Sequence, residues 1–153
     1  MQDEINNIID NIEAEEDVRI LYACESGSRA WGFHSSDSDY DVRFIYVRRP
    51  EWYLSIDIAS KRDVIELPVD EVLDVNGWDL NKALQLFQKT NPPLYEWLGS
   101  PIVYRDRLGL AEALRDLAPT FYCDKAAGYH YLRMAQNNHR AYLKRNQIAT
   151  KKY

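Results

Sequence analysis

Asp37, Asp39 and Asp41 alternate with Ser38 and Tyr40 in the stretch GSRAWGFHSSDSDYD, residues 27–41. Side chains two apart in an extended chain point the same way. Asp39 and Asp41 stand at the entry of a β-rich run, so they present two carboxylates on one side. Two carboxylates that close repel, and the pKa of at least one of them rises. A divalent cation removes that cost. Hard oxygen donors suit Mg²⁺ or Mn²⁺, and Mg²⁺ takes one or two carboxylates together with substrate phosphates. Where two ions lie about 3.5–4 Å apart, a carboxylate pair can bridge them. Taken alone, the pair is also what a solvated loop carries before a strand. Asp37 stands further from the strand, within Ser35-Ser36-Asp37-Ser38, and reads as turn chemistry.

Ten residues separate Asp39 from Ser28, the second residue of a Gly-Ser step. Gly27 follows an apolar run at the start of a short helix. A glycine there lets backbone approach a phosphate, and the amide groups of a helix start favour the anion. Ser28 adds a hydroxyl donor. The Lys-Ser/Thr ending of a Walker loop is missing. Trp31 and Phe33, in the connection that follows, read as packing residues rather than base-stacking ones.

The elements that must hold these residues follow from periodicity. Ile5, Ile8, Ile9 and Ile12 recur at helical spacing and predict a helix over 3–14. Val18–Cys24 and Asp41–Val47 read as strands. In the second, Val42, Phe44 and Tyr46 share one face; Asp41, Arg43 and Ile45 share the other, together with Asp39. Pro50 opens a short helical turn. Asp63–Leu67 and Val72–Val75 read as a hairpin through Pro68. Asp79 is a good N-cap for a helix over Leu80–Lys89, and Asn91-Pro92-Pro93 reads as its stop. Leu94–Leu98 is a further short helix, Pro101–Tyr104 an extended segment, and Leu108–Leu117 a helix. A longer helix is expected from about Tyr122 to Arg145, with Gly128 its weak point. Strands early and helices late imply an α+β fold, a small mixed sheet with a helical C-terminal part.

The chain has 153 residues, 46% hydrophobic and 28% charged, with 19 Lys and Arg against 24 Asp and Glu, a net charge of −5. That is a globular composition, and no strong basic field marks it for broad nucleic-acid binding. An RNA substrate held in a local basic groove stays open. No apolar run approaches the roughly 20 residues of a bilayer span. The start MQDEINNIID is acidic and polar, unlike a signal peptide, so a cytoplasmic protein without membrane attachment is expected. Cys24 and Cys123 show no metal or disulfide spacing, and both read as buried, reduced thiols.

The combination Gly27-Ser28-x10-Asp39-Tyr40-Asp41 resembles the signature of the DNA polymerase beta-like nucleotidyltransferase superfamily. The longer text ACESGSRAWGFHSSDSDYDVRFIYVRRPEWYLSI, then RDVIELP, GWDLNKALQLF and NPPLYEWLGSPIVY, resembles its RNA repair pathway DNA polymerase beta family. The likeness is dense over about residues 17–105 and loose beyond. It implies a nucleotidyltransferase-type palm over 1–105 and a helical region over 106–153 packed on it. Family members continue past Lys151-Lys152-Tyr153, which implies that this chain lacks a C-terminal helical portion of theirs. The implied activity moves a nucleoside monophosphate from an NTP to a hydroxyl acceptor, RNA or protein, with two Mg²⁺ or Mn²⁺ ions. Gly27 and Ser28 would hold the β- and γ-phosphates, and Asp39 and Asp41 the metals. The superfamily adds a third carboxylate on a later strand. Asp74, in the apolar-acid-apolar Leu73-Asp74-Val75, is the choice, Glu66 the rival and Asp63 a more distant one. An NTP-binding or antitoxin-like regulatory module of the same fold is the alternative.

Other residues carry weaker signals. Lys82, one turn into its helix, is a candidate for the triphosphate, against a plain solvated lysine. Arg133, Arg140, Lys144 and Arg145 form a basic cluster that reads first as a solvated face and second as a phosphate contact. His34, His130 and His139 read as surface or structural residues, and Trp52, Trp78 and Trp97 as packing anchors.

Overall fold

The computed structural model describes residues 1–33, 35, 38–68 and 72–143. His34, Asp37, Lys144 and Arg145 lie outside the described residues, and so do the readings placed on them. The elements are α1 (Gln2–Glu16), β1 (Arg19–Glu25), α2 (Gly27–Ala30), β2 (Tyr40–Val47), α3 (Pro50–Tyr53), a 3-10 turn (Ile58–Ser60), β3 (Val64–Glu66), β4 (Leu73–Asp79), α4 (Leu80–Gln88), α5 (Pro92–Leu98), β5 (Val103–Asp106), α6 (Leu110–Phe121) and α7 (Asp124–Asn138), continued by a π turn over His139–Leu143. Among the described residues one five-stranded sheet forms, in the order β3-β4-β2-β1-β5. β2 and β4 pair in parallel, and the remaining pairs are antiparallel. The fold is α+β, as the order of elements in the sequence implies.

The sheet is covered on both faces. On one, Ile5, Ile9 and Ile12 of α1 pack against Ile20, Ala23, Val42, Phe44, Tyr46 and Val75. On the other, Ala83, Phe87, Leu94, Trp97, Leu98, Ala111 and Leu114 from α4, α5 and α6 pack against Tyr22, Cys24 and Ile45. The alternation read from β2 therefore holds: Val42, Phe44 and Tyr46 face α1. Ile45 faces the other helices, and Asp41 and Arg43 continue that second face toward the strand's entry. Two ion pairs tie α1 to β5, with Glu13 reaching Arg105 at 3.0 Å and Asp10 reaching the same Arg105 at 2.6 Å.

Several local readings change. β4 does not end at Val75 but runs on through Asn76-Gly77-Trp78 to Asp79. Asn-Gly carries turn chemistry in a sequence, yet here the glycine serves packing: a Cβ at position 77 would stand 2.1 Å from the Phe44 ring. Asp79 closes the strand and caps α4, its carboxylate accepting from the Asn81 amide at 2.8 Å. Asn91-Pro92-Pro93 is more than a stop. Asn91 caps α5 through the Leu94 amide (3.3 Å), and the two prolines fill its first turn, where no amide donor is needed. Gly128 does not interrupt α7, which starts after Cys123 and exposes most of its length. Cys24 is buried, and burial pushes its thiol up to about 12, whereas Cys123 is exposed at the α6–α7 junction, contrary to expectation. No helix among the described residues is long and apolar enough to cross a membrane.

Because the Phe44 ring closes over Gly77, the β2–β4 seam tolerates no added carbon. Gly77→Ala is expected to lower unfolding free energy by about 1–3 kcal/mol, measured by urea denaturation; an unchanged midpoint would contradict the packing described.

Candidate active site at the β2–β4 seam

The parallel register of β2 and β4 sets Asp41 directly opposite Asp74, and Arg43 opposite Asn76. Arg43 then spans the two acids. Its Nη2 donates to Asp41 Oδ1 at 3.0 Å and to Asp74 Oδ2 at 2.7 Å, while Nη1 donates to the Asp74 carbonyl at 3.0 Å. Burial pushes the Asp41 carboxyl up from its ordinary range. The Arg43 guanidinium opposes that rise, and the charges of Asp74 and Asp39 add to it. Asp39 is exposed, one residue before β2, and close enough for its charge to be felt at Asp41.

Gly27 closes the other side. Its φ is +62°, a region that side chains rarely adopt, and a Cβ there would stand 2.1 Å from Asp41 Oδ2. The Gly-Ser step thus lies against the acid pair. Arg29 holds this arrangement from below: it donates to the carbonyls of Ser38 (2.6 Å) and Asp39 (3.2 Å), and its guanidinium lies 3.7 Å over the Tyr40 ring. Glu25, fully buried, accepts from the Asp41 amide at 2.8 Å and from the Tyr104 hydroxyl. Ser26 donates to the Asp41 carbonyl at 2.8 Å.

Gly27, Ser28, Asp39, Asp41 and Asp74 are therefore gathered at one end of the sheet. Lys82 is not. It follows the far end of β4, with its Nζ on Asp63 at 2.9 Å. Five strand steps lead from Asp74 to Asp79, roughly 17 Å, so a lysine one turn into α4 lies far from the acids. Asp63 lies at that same far end. Glu66 shares the acids' face but stands one strand further out, opposite Asn76, engaged by Arg62 at 2.7 Å and by Asn76 at 2.8 Å. Trp31 and Phe33 do not pack: they are 58% and 74% exposed.

Residues 1–153 match the RNA repair pathway DNA polymerase beta family (RlaP) over the whole chain. The chain belongs to this family. The family's description points to polymerase beta-like nucleotidyl transfer in RNA repair. The chain is also 51% identical over 153 residues to "Uncharacterized protein YcgL" of Bacillus subtilis (strain 168), a match that takes in 100% of this chain and 58% of that protein. It therefore spans less than two thirds of that relative's length. No solved structure matches it.

In this member of the RNA repair polymerase beta family, three supporting residues escaped the sequence reading: Glu25, Arg29 and Arg43. Arg43 was visible on the face of the acids, but only the strand register shows that it bridges them. Arg29 sits inside the quoted motif, and Glu25 just before it, yet both act through backbone groups that no spacing reveals. Among the described residues no three His, Cys, Asp or Glu side chains form a ready metal cage. The donor set nevertheless fits a hard divalent ion. Two carboxylates converge across the seam, a third is within electrostatic reach, and a glycine keeps clear the space beside Asp41 that a Cβ would fill.

A carboxyl whose folded-state pKa is raised contributes stability that is complete below its ordinary 3.8 and is lost as pH rises through the raised value. Asp41→Asn is thus expected to raise the melting temperature at pH 7 in chelator, with the gain vanishing below pH 3.8; a lower melting temperature at pH 7 would contradict the burial argument. Gly27→Ala has the opposite sign. It meets both a positive φ and the Asp41 carboxylate, and a loss of more than about 1 kcal/mol is expected in denaturant titration.

Proposed function

We propose that the chain is a divalent-metal-dependent nucleotidyltransferase that moves a nucleoside monophosphate from an NTP to a hydroxyl acceptor, with RNA as the acceptor class. The observation that carries this reading is the Asp41–Asp74 pair, facing across β2 and β4 with Gly27 against it, in a chain of the RNA repair polymerase beta family. Residues 1–105 form the catalytic unit in this reading, and the helices after them pack on it.

Each residue has a role in the proposal. Gly27 brings the backbone of α2 close, and its neighbour Ser28 offers a hydroxyl to the β- and γ-phosphate oxygens. Asp39, Asp41 and Asp74 hold two Mg²⁺ ions, and Mn²⁺ suits the same oxygens. When bound, such ions offset the charge of the transferring phosphoryl group and lower the pKa of the attacking hydroxyl. Asp74 orients the acceptor hydroxyl in this reading; the register supports Asp74 over Glu66, because Asp74 is the acid directly beside Asp41. Arg43 is a positioning residue: its bonds to the two carboxylates hold them aligned. Glu25 and Arg29 fix the backbone that carries Asp41 and Asp39.

One observation favours a second reading. Arg43 already offsets the charge of Asp41 and Asp74, and a site neutralised by its own guanidinium suits an NTP-binding regulatory module without turnover.

Incubation with labelled NTPs, Mg²⁺ and RNA oligonucleotides separates the two. Incorporation into RNA is expected, falling at least about a hundredfold in Asp39→Ala and Asp74→Asn, while Lys82→Met stays at the level of the parent. Incorporation untouched by Asp39→Ala would overturn the mechanism. NTP binding without transfer to RNA, or by intact mass to protein, would favour the regulatory module.

A further inference from the structure

Trp31 follows α2 with its ring 58% exposed rather than packed in the core. The indole borders a cavity of about 240 Å³ between α2, α5 and α7, whose wall also includes Tyr95, Tyr122, Tyr131 and Glu96. We propose that this cavity is a nucleobase pocket, in which a planar base stacks on Trp31 and presents an exocyclic amino group to Glu96. The proposal rests on the nucleotidyl-transfer reading and names the part of the substrate that reading leaves free.

Position supports it first. The single turn of α2 starts at Gly27, against Asp41, and is followed at once by Trp31 on the cavity wall. Four residues at 1.5 Å each put the two about 6 Å apart along the turn, close enough for one nucleotide to lie on both. Ser100, also in the wall, donates to the Glu25 carbonyl at 2.6 Å, and Glu25 holds the Asp41 amide. The cavity and the acids are thus braced by the same buried residue.

The lining supports it second. Tyr95 and Tyr122 meet edge to face at 5.0 Å, and Tyr95 stacks on Phe87 of the core at 5.1 Å, which ties this wall to the core. Aromatic walls with few polar groups are what a flat heterocycle requires. The wall's carboxylate is Glu96, which accepts from the Tyr131 hydroxyl at 2.6 Å. A carboxylate has two oxygens with about four acceptor positions, so that bond leaves room for an amino donor. Carboxylates accept from base amino groups in nucleic-acid recognition, where cytosine offers one and thymine and uracil do not.

Calorimetric titration with ATP, CTP, UTP, inorganic tripolyphosphate and a short RNA oligonucleotide, each with Mg²⁺, tests the pocket. ATP and CTP are expected to bind more tightly than tripolyphosphate. Trp31→Ala should weaken ATP about tenfold and leave tripolyphosphate unchanged, which also shows that the variant folds. Glu96→Leu should erase the preference for ATP and CTP over UTP. A loss confined to the RNA oligonucleotide would assign the pocket to the acceptor's terminal base instead of the NTP's. Unchanged ATP and RNA affinities in both variants, with tripolyphosphate still binding, would overturn the pocket while the nucleotidyl-transfer reading stands. No binding of tripolyphosphate or NTP by the parent chain would overturn that reading, and the pocket with it.

Discussion

Two carboxylates in register on neighbouring parallel strands repel each other, and a fold that keeps them there must supply an opposing force. In this chain Arg43 supplies it. The arginine lies two residues beyond Asp41, so it shares that acid's face, and its fork reaches across the seam to Asp74. Charge-assisted hydrogen bonds of this kind are among the stronger polar interactions available. The parallel β2–β4 pairing decides the geometry of the candidate site, and the guanidinium keeps that pairing from being an electrostatic liability.

The pairing depends in turn on close approaches that only small residues allow. At one end of the seam the Phe44 ring lies over Gly77; at the other, Asp41 lies against Gly27. Between these points the sheet has different neighbours on its two faces. α1 covers one face with isoleucines, an apolar contact that fixes which residues of β2 turn inward. With Val42, Phe44 and Tyr46 committed to that side, Asp41 and Arg43 have no choice of direction, since the side-chain period of a strand is two. The hydrophobic core thereby aims the polar site. Helices α4 to α6 cover the lower part of the second face and leave its upper end to the acids.

What could be read from the sequence was whatever is local. Asp39 and Asp41 share a side because of strand period, and Gly27-Ser28 follows a strand within a few residues; both needed only a window of fifteen positions. Asp74 could be singled out as an acid between apolar neighbours, but its place opposite Asp41 depends on a register between segments more than thirty residues apart. Lys82 failed for the same reason in reverse. One turn into a helix is a local description, and it does not say which end of the preceding strand the helix follows. Asn91-Pro92-Pro93 misled because stop residues have a second use, as prolines in a first helical turn. Trp31 misled because an indole is normally a packing residue, and only the placement of α5 and α7 shows that no core awaits it.

Three departures from local rules fall in the stretch that carries Asp39 and Asp41. A left-handed glycine, a carboxyl pushed up by burial and by its neighbours' charges, and an exposed indole all occur between positions 27 and 41. Chains tend to be locally consistent where folding alone governs them, and inconsistent where a site is held against its own preferences. The buried Glu25 makes the point most clearly. A fully buried carboxylate is a poor way to stabilise a sheet, yet this one receives the Asp41 amide and the Tyr104 hydroxyl, while its own carbonyl receives Ser100. Its carboxylate and its carbonyl thus tie the Asp41 backbone, Tyr104 of β5 and Ser100 of the cavity wall to the end of β1. A hydrophobic residue at position 25 could fill that volume, but it could not fix the backbone of Asp41 by a directed bond. A polar side chain where packing alone would serve marks the same end of the sheet that the register of β2 and β4 picks out as the candidate site.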